Sequence, residues 1–431
     1  MNEIILYIIR FLLGDHVPPD TDRLIAYTSD AASFRSCKLV IVPSGFFDEN
    51  IYNTAGSIPA LPLRQMDGVP ILFGRPQIER NGDTLVVYAD IVASACFLLS
   101  RYEEIVRRNV RDIHGRFPGR ESLPFRAGFI SRPVVDEYGR LLRKWLVQSG
   151  AQVPEPPQSL RHVYLTHDVD APFACRSWRN VARGLKEGKS IAGLLRAKFG
   201  KPENDPYYTF PRILEKDASV RETLGEDRCS IYLFLKAKGR ARQDKPRYDP
   251  GSRDIRQLYR LLDLHGGKTG LHASYAAGQK PSLIAAEKER LEKASEQEIT
   301  ANRHHFLASR EPEDMAALEK VGITDDFTMG YADTAGFRLG TSRPVRWINA
   351  STRTLSHLVL HPLTVMDSTL SESKYMGLSA GEAQEYCFRL TEEAKKAHGE
   401  LTLLWHNTSV IEGAGYHREL YNRILDKIKT L

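Results

Sequence analysis

Apolar and polar positions alternate in two ways along the C-terminal two thirds of the chain. Short apolar runs, typical of buried strands, recur between segments whose apolar residues follow helical spacing. Strands interleaved with helices predict a parallel sheet or barrel with right-handed crossovers. We expect strands at 163–165, 230–235, 269–272, 324–328, 358–360 and 401–405, and helices at 256–264, 283–300, 312–320 and 380–398.

The N-terminal third has a simpler pattern, with two strand-like runs followed by two helical ones. These lie at 38–42, 84–88, 91–107 and 133–148. A proline-rich stretch at 153–159 cannot continue a helix and favours extended chain. The pattern predicts a small α+β domain at 1–152, a linker at 153–159 and a larger domain at 160–431. No group of residues in the first domain indicates a chemistry, so its role stays open.

The apolar run at 3–14 raises the question of a signal peptide or a membrane span. It has an acid where a basic region belongs, an internal Arg10 and no small-residue cleavage site. It is also shorter than the roughly 20 residues needed to span a bilayer. We expect a first core helix or strand, in a protein that is cytoplasmic or peripheral to the membrane.

Composition excludes several other classes. The chain has 431 residues, 42% hydrophobic and 26% charged, as in an ordinary globular protein. Its net charge of +6 is too diffuse to indicate nucleic acid. The 5 cysteines are scattered and never spaced as C-x-x-C, so neither a disulfide framework nor a thiolate zinc site is expected.

One insertion, at about 171–228, breaks the alternation of strands and helices. It holds a basic stretch at 176–201 in which Glu187 is the single acid. The stretch is either a solvated basic helix or a cationic lid that faces an anionic or lipid-linked glycan. Its apolar residues have helical spacing and suit either interfacial contact or core packing; they are Ile191, Leu194, Leu195 and Phe199.

Two carboxylates follow the first strand of the larger domain. Residues 166–170 read Thr-His-Asp-Val-Asp, so Asp168 and Asp170 are two positions apart. On an extended segment such residues point the same way, and both acids can face one cavity. Taken alone, the pair is equally compatible with a capped turn or a solvated acidic loop.

Further polar residues stand where later strands give way to loops, which is where parallel barrels collect their chemistry. They are His272, Tyr275, Arg303, His304, His305, Asp333, Trp405 and His406. Two imidazoles and one carboxylate are the ligands of a catalytic zinc site, which lowers the pKa of bound water toward about 7. A second carboxylate can act as base and a separate histidine as acid. The residue types predict metal-assisted hydrolysis of an amide or ester.

The region 160–431 resembles the polysaccharide deacetylase family of carbohydrate esterases. That family has a deformed (β/α) barrel and removes N- or O-acetyl groups from sugars with a divalent metal, usually zinc. Its opening motif, Thr-Phe-Asp-Asp-Gly, is similar to residues 166–170, which implies that Asp168 is the base and Asp170 a metal ligand. Its closing strand, which ends in an acid histidine, is similar to residues 403–406, Leu-Leu-Trp-His. The resemblance implies that His406 is the acid.

The chain departs from the family in its middle motifs. The family has His-x-x-x-His, but Ala276 stands four residues after His272. The substitute ligand is His304 or His305, and we prefer His305 because it shares one face with Arg303 if the segment is extended. By resemblance to the family's Arg-Pro-Pro-Tyr-type motif, Arg303 pairs with the base. The whole resembles a divergent bacterial branch that carries an additional N-terminal domain.

Three further residues are candidates for binding substrate. Tyr275 and Trp405 could form a platform for a sugar ring or acetyl methyl, although a tryptophan beside Leu404 also suits a core. Asp333 could orient Arg303 or a histidine, or cap a turn beside Gly330.

The leading hypothesis is a metal-dependent hydrolase that deacetylates a sugar or polysaccharide intermediate in envelope glycan synthesis, with metal-activated water as the nucleophile. One alternative is a catalytically inactive glycan-binding or scaffold module. Another is hydrolysis of a non-sugar C–N bond.

Overall fold

The computed structural model describes residues 3–431, apart from the side chains of residues 35 and 36. The described N-terminal part contains five α-helices and six short strands. In chain order they are α1 (Glu3–Leu13), β1 (Ile25–Tyr27), β2 (Leu39–Ile41), β3 (Arg64–Met66), β4 (Val69–Ile71), β5 (Gly74–Asn81), β6 (Thr84–Ala89), α2 (Ile91–Leu99), α3 (Tyr102–Val106), α4 (Leu123–Arg126) and α5 (Val134–Gln148).

The N-terminal part is a small α+β region, as the sequence predicts. Its main sheet has the order β1-β2-β6-β5, with β1, β2 and β6 parallel and β5 antiparallel to β6. The apolar run at the start of the chain forms helix α1, which buries Ile8, Ile9 and Leu12. The predicted helix at 91–107 is two helices, because Arg101 has a left-handed backbone (φ 52°).

The rest of the chain alternates strands and helices. Its elements are β7 (His162–Val169), α6 (Trp178–Lys186), α7 (Ile191–Phe199), α8 (Phe210–Leu224), β8 (Cys229–Leu235), α9 (Arg253–Leu264), β9 (Lys268–Ala273), α10 (Tyr275–Gln279), α11 (Ile284–Ser295), β10 (Ala301–His304), α12 (Glu313–Lys320), β11 (Asp325–Met329), β12 (Val345–Asn349), β13 (Thr354–Met366), α13 (Asp367–Ser371), α14 (Ala380–Lys396), β14 (Glu400–Leu404) and α15 (His417–Lys429).

Seven of these strands close into a barrel. The sheet order is β11-β10-β9-β8-β7-β14-β13-β12, and β11 also pairs with β13. Strands β7 to β11, β13 and β14 are all parallel to their neighbours, whereas β12 is antiparallel to β13. A ring of seven parallel strands, rather than the eight of a regular (β/α) barrel, confirms the predicted deformed (β/α) barrel.

Aromatic side chains fill the barrel interior below the site. Tyr232, Phe234 and Phe327 form one buried cluster, with Tyr164 packed against it. Gly270 on β9 leaves the space for Phe234, because a Cβ at this glycine would lie 2.4 Å from the phenylalanine ring. The packed interior supports the residues at the carboxyl ends of the strands from beneath.

The N-terminal part packs directly on the barrel. One hydrophobic cluster extends from Ile8 of α1 to Trp347 of β12. Buried ion pairs add to this contact, including one of 2.6 Å between Arg338 and Glu104. The division into domains at 1–152 and 160–431 stays a prediction. Within residues 3–431, no helix is both long and apolar enough to cross a membrane.

Candidate active site

The carboxyl ends of the parallel strands bring the candidate residues into one cluster. Asp168 and Asp170 stand at the end of β7, and the pairing of β10 with β9 sets Arg303 level with His272. Asp168 lies 3.5 Å from Nε2 of His272, and Asp170 lies 3.6 Å from Nε2 of His406. Residues from four strand ends therefore meet at the mouth of the barrel.

Arg303 holds Asp168 from inside the barrel. Its Nη1 donates to Oδ1 of Asp168 at 2.9 Å, and its Nε donates to the carbonyl of Phe327 at 3.0 Å. The guanidinium is fully buried and lies over the ring of Phe234, 4.5 Å from its centroid. Burial lowers the pKa of Arg303, and the carboxylate of Asp168 opposes this shift. One oxygen of Asp168 is thereby fixed, and the other faces His272.

Asp170, His272 and His305 offer three ligand atoms that all lie within 4.8 Å of one another. Oδ1 of Asp170 is 3.2 Å from Nε2 of His272 and 3.1 Å from Nε2 of His305. Both histidines are buried, whereas 31% of the Asp170 side chain is exposed. One carboxylate and two imidazoles, open on one side, are the donor set of a catalytic divalent-cation site.

The hydrogen bonds of the two imidazoles fit this role. Nδ1 of His272 donates to the carbonyl of Arg303 at 2.9 Å, and Nδ1 of His305 contacts Oδ1 of Asp244 at 3.3 Å. Each contact uses the Nδ1 hydrogen and leaves the lone pair of Nε2 directed at Asp170. Oδ1 of Asp170 and Nε2 of His272 are buried without a hydrogen-bond partner among the described residues. Such lone pairs repel unless a cation or added protons lie among them, so the three residues fit a divalent cation.

The pKa shifts of Asp170 and His305 both favour the charged forms of these side chains. Burial would raise the pKa of Asp170, but the adjacent imidazoles of His305 and His272 hold it well below its usual value. Burial would lower the pKa of His305, but the carboxylates of Asp170 and Asp244 raise it. The site therefore stabilises positive charge beside an ionised carboxylate.

His305, and not His304, is the histidine that lies beside Asp170. His304 is fully buried, and its Nδ1 accepts a hydrogen bond from Asn302 at 3.0 Å. The chain turns sharply after His305, where Phe306 (φ 64°) and Leu307 (φ 53°) have left-handed backbone. Such conformations are uncommon for bulky residues and often occur at functional sites.

His406 approaches the cluster from the last barrel strand. Oδ1 of Asp367 contacts its Nδ1 at 2.8 Å, and Oδ2 of Asp367 accepts from its backbone N–H at 2.7 Å. Burial opposes the charged imidazole, but Asp367 outweighs it and raises the pKa of His406 to about 10. Despite its burial, contact with His406 lowers the pKa of Asp367 to about 2. A protonated His406 therefore faces the cluster.

Sequence reasoning missed three residues of this site. Asp367 follows the end of β13 and could have been found as another acid at a strand end. Lys236 follows β8 in the same way; its Nζ is buried 3.8 Å from Oδ1 of Asp170, and burial lowers its pKa against the pull of nearby carboxylates. Asp244 lies in the loop after β8, and no sequence pattern marks it.

The three predicted substrate-binding residues have different surroundings. Tyr275 lies near the cluster, since its backbone N–H donates to Asp244 at 2.7 Å. Trp405 is fully buried in a hydrophobic cluster beside Tyr421, away from the mouth of the barrel. Asp333 accepts backbone hydrogen bonds at 2.7 Å and 3.1 Å from residues 119 and 120, and it does not contact Arg303. The structure therefore brings only Tyr275 beside the site.

The N-terminal part contributes a loop to the mouth of the barrel. Nη1 of Arg116 donates to the carbonyl of Phe306 at 2.9 Å. The ring of His114 lies 4.9 Å from that of Phe306 and 5.9 Å from that of Tyr275. Phe306 in turn packs against His305 at 4.7 Å. One wall next to the candidate ligands thus comes from the first part of the chain.

Comparison by sequence identifies one family. Residues 9–151 match a family of unknown function (DUF7033), which is about a third of the chain. The match spans most of the predicted N-terminal domain and none of the barrel. No curated protein matches the sequence.

Comparison by structure identifies several similar proteins. One is described as a polysaccharide deacetylase from Mycobacterium smegmatis (12% identity, TM-score 0.41, covering 65% of this chain and 88% of that one). Another is Puue Allantoinase (12% identity, TM-score 0.37, 66% and 91%). A third is described as a polysaccharide deacetylase from Pseudomonas aeruginosa PAO1 (10% identity, TM-score 0.38, 66% and 91%).

Proposed function

We propose that this chain is a metal-dependent hydrolase that removes an acetyl group from an N- or O-acetylated sugar or polysaccharide intermediate. The observation that carries the proposal is the pair of imidazoles directed at one carboxylate, His272 and His305 around Asp170. The buried ion pair between Arg303 and Asp168 lies on one side of this set, and His406 with its partner Asp367 lies on another. Similar motifs at the two ends of the barrel sequence support acetylated sugars as the substrate class.

Asp170, His272 and His305 would hold the cation, most simply zinc, because imidazole and carboxylate ligands with one open side suit it. A cation bound there polarises the acetyl carbonyl and lowers the pKa of water. Because Nδ1 of His305 contacts Asp244, Nε2 of His305 remains available for the cation.

Asp168 is suited to remove a proton from the attacking water. Arg303 neutralises its charge from beneath and fixes Oδ1, so that Oδ2 remains available at the mouth of the barrel. General-base catalysis needs the carboxylate in this ionised, oriented form. The role of Arg303 is therefore to position Asp168 rather than to contact substrate.

His406 is suited to give a proton to the leaving group. Asp367 raises the pKa of the imidazole, which favours the protonated form, and fixes its ring orientation. In the full reaction a C–O bond forms between water and the acetyl carbon while the C–N or C–O bond to the sugar breaks. One water proton goes to Asp168 and the proton of His406 goes to the sugar amine or alkoxide. The second water proton leaves with acetic acid, which ionises to acetate in solution. Net transfer of a proton from Asp168 to His406 restores the site.

The insertion favours a substrate with negative charge. It leaves β7 directly after Asp170 and adds basic residues at the same end of the barrel. An anionic or lipid-linked glycan, and a cytoplasmic or membrane-peripheral location, stay predictions of this proposal.

The test is acetate release from a panel of N- and O-acetylated sugars by protein loaded with zinc. We expect release that stops when the metal is chelated and returns when zinc is added. Asp168→Asn should lower release by about 10³-fold, since asparagine keeps the size of the side chain but cannot take up the proton. Tight glycan binding without release from any substrate would favour the inactive glycan-binding module instead.

A further inference from the structure

Helices α6 and α7 form a hairpin with its own small core. Cys175, Val181, Leu194 and Ala197 are buried together between the two helices. Gly184 permits the close contact, because a Cβ at this position would lie 2.6 Å from Cδ2 of Leu194. The hairpin, residues 176–201, therefore has a defined inner face, and its other faces point away from this core.

The hairpin exposes an unusual amount of apolar surface. Ile191 (62% exposed), Leu195 (37%) and Phe199 (66%) are spaced four apart and line one side of α7. Trp178 (62%) and Leu185 (43%) are seven apart and share one side of α6. These five are almost half of the eleven exposed large apolar residues found across the described chain. Concentration of this kind marks an interaction surface rather than scattered exposure.

Cations lie beside this apolar surface. Arg179, Arg183 and Lys186 share one side of α6. Arg196 on α7 and Lys201 just after this helix add to the basic surface. In the described chain, no carboxylate is within ion-pair distance of these five. Nζ of Lys198 lies 4.6 Å from the ring centroid of Trp178 and so links the basic and aromatic groups.

The base of the hairpin is anchored next to the candidate active site. The side chain of Asn407, which follows His406, donates to the carbonyls of Ala171 and Tyr207 at 3.0 Å and 2.7 Å. Phe173 stacks on Tyr208 with ring centroids 5.6 Å apart. The segments on both sides of the hairpin are thus fixed at the carboxyl end of the barrel, the end where the site opens.

We infer that this hairpin docks the protein onto an anionic lipid bilayer, with the site facing the membrane surface. A bilayer interface provides an apolar layer for Ile191, Leu195 and Phe199 next to negatively charged headgroups for the cations. A nucleic acid or a soluble anionic glycan would neutralise the cations but leave the aliphatic side chains in a polar environment. The combination of the two surfaces therefore favours a membrane.

Tryptophan fluorescence can report this docking without a label. Of the four tryptophans, Trp145, Trp347 and Trp405 are buried and Trp178 is exposed. The full chain is mixed with vesicles of equal parts phosphatidylcholine and phosphatidylglycerol, or of phosphatidylcholine alone. We expect emission to shift to shorter wavelength and to be shielded from iodide only with the anionic vesicles. The effect should weaken as salt is added.

Paired variants identify the contact surface while they retain Trp178 as the reporter. Ile191→Ser with Phe199→Ser, and separately Arg179→Glu with Arg183→Glu, should each weaken vesicle binding at least about tenfold. The matched controls are Leu264→Ser, at a residue that is 80% exposed on α9, and Lys293→Glu with Lys320→Glu on α11 and α12. The controls should bind vesicles as the unchanged protein does.

Three results would overturn the inference: no response to anionic vesicles, an equal response in the hairpin variants, or an equal response to soluble dextran sulfate. The last result would identify an anionic polymer as the partner. The measurement contains no substrate, so its outcome is independent of whether the barrel hydrolyses acetylated sugars.

Discussion

Each end of the barrel has histidine side chains next to carboxylates, but the two ends differ in how many of the imidazole nitrogens form hydrogen bonds within the chain. At the amino end, Nδ1 of His361 contacts Glu400 at 2.8 Å and Nε2 contacts Asp325 at 2.9 Å. At the carboxyl end, His272 and His305 each use Nδ1 for a hydrogen bond and direct Nε2 at Asp170. The first arrangement is a closed ion pair, and the second has room for a cation.

Hydrogen-bond partners thus distinguish a structural cluster from a candidate site with the same residue types. The ring of His361 stacks on Phe327 at 4.5 Å, and both of its nitrogens have partners within the chain. Nε2 of His272 and Oδ1 of Asp170 have none among the residues described. Buried polar atoms without partners cost stability, so an unpartnered imidazole nitrogen beside an unpartnered carboxylate oxygen favours a bound cation there.

The largest effect should follow from removal of the carboxylate at the carboxyl end. Asp170→Ala should lose the bound metal and lower acetate release by about 10⁴-fold, since a metal supplies several kcal/mol of transition-state stabilisation. Metal analysis and acetate release measure the two losses. The metal-free variant should still fold, although it loses the contacts of Oδ1 with His272 and His305; a variant that fails to fold would make Asp170 a structural residue.

Asp168→Asn should separate proton transfer from metal binding. Activity should fall by about 10³-fold, within the range for loss of a general base, while metal content stays unchanged. Steady-state acetate release and metal analysis on the same sample give both values. Unchanged activity would remove Asp168 from the mechanism and leave Arg303–Asp168 as a second structural ion pair.

The amino end should contribute to stability and to its pH dependence. Burial opposes the charged form of His361, but Glu400 and Asp325 raise its pKa to about 9. This stabilisation is complete below the unfolded pKa of about 6.5 and is lost as pH rises through about 9, by at most about 3 kcal/mol. Urea unfolding from pH 6 to pH 10 measures the slope.

His361→Gln is the control for that slope. It should lower the free energy of unfolding at pH 6 and flatten its decline toward about pH 9, while folded protein keeps its activity. An unchanged slope in this variant would show that other groups carry the pH dependence.

A smaller effect is expected at the residue that orients His406. Asp367→Asn should lower activity by about 10- to 100-fold, the usual range for a residue that orients a functional side chain through a hydrogen bond. Metal content should not change, because Asp367 does not contact the three candidate ligands. Loss of the metal in this variant would place His406 and Asp367 in the cation site.

Much of the fold follows from local patterns. Alternation of strands and helices predicts the barrel, and the strand ends predict the positions of Asp168, His272 and His406. The choice of His305 over His304 follows because residues two apart on an extended segment point the same way, so that His305 shares a face with Arg303. The predicted helix at 283–300 ends at Ser295, and the strand β10 begins soon after. Strand β10 is too short and polar for a hydrophobic pattern to identify it.

The remaining features depend on contacts that are distant in sequence. Asp244 reaches His305 from a loop 61 residues earlier, and Arg116 reaches Phe306 across 190 residues. Trp405 belongs to the core because α15 covers it, which residues 403–406 alone do not reveal. Closure of the ring by β11 and β13, and with it the number of strands, is likewise a tertiary property.

Binding of one divalent cation by Asp170, His272 and His305 underlies the proposed chemistry. Metal content per chain is measured after loading with zinc and dialysis, for the parent, His305→Gln and His304→Gln. We expect about one tightly held ion in the parent and in His304→Gln, and none in His305→Gln. A metal-free parent, or an ion that His305→Gln retains, would show that these residues are not the cation site.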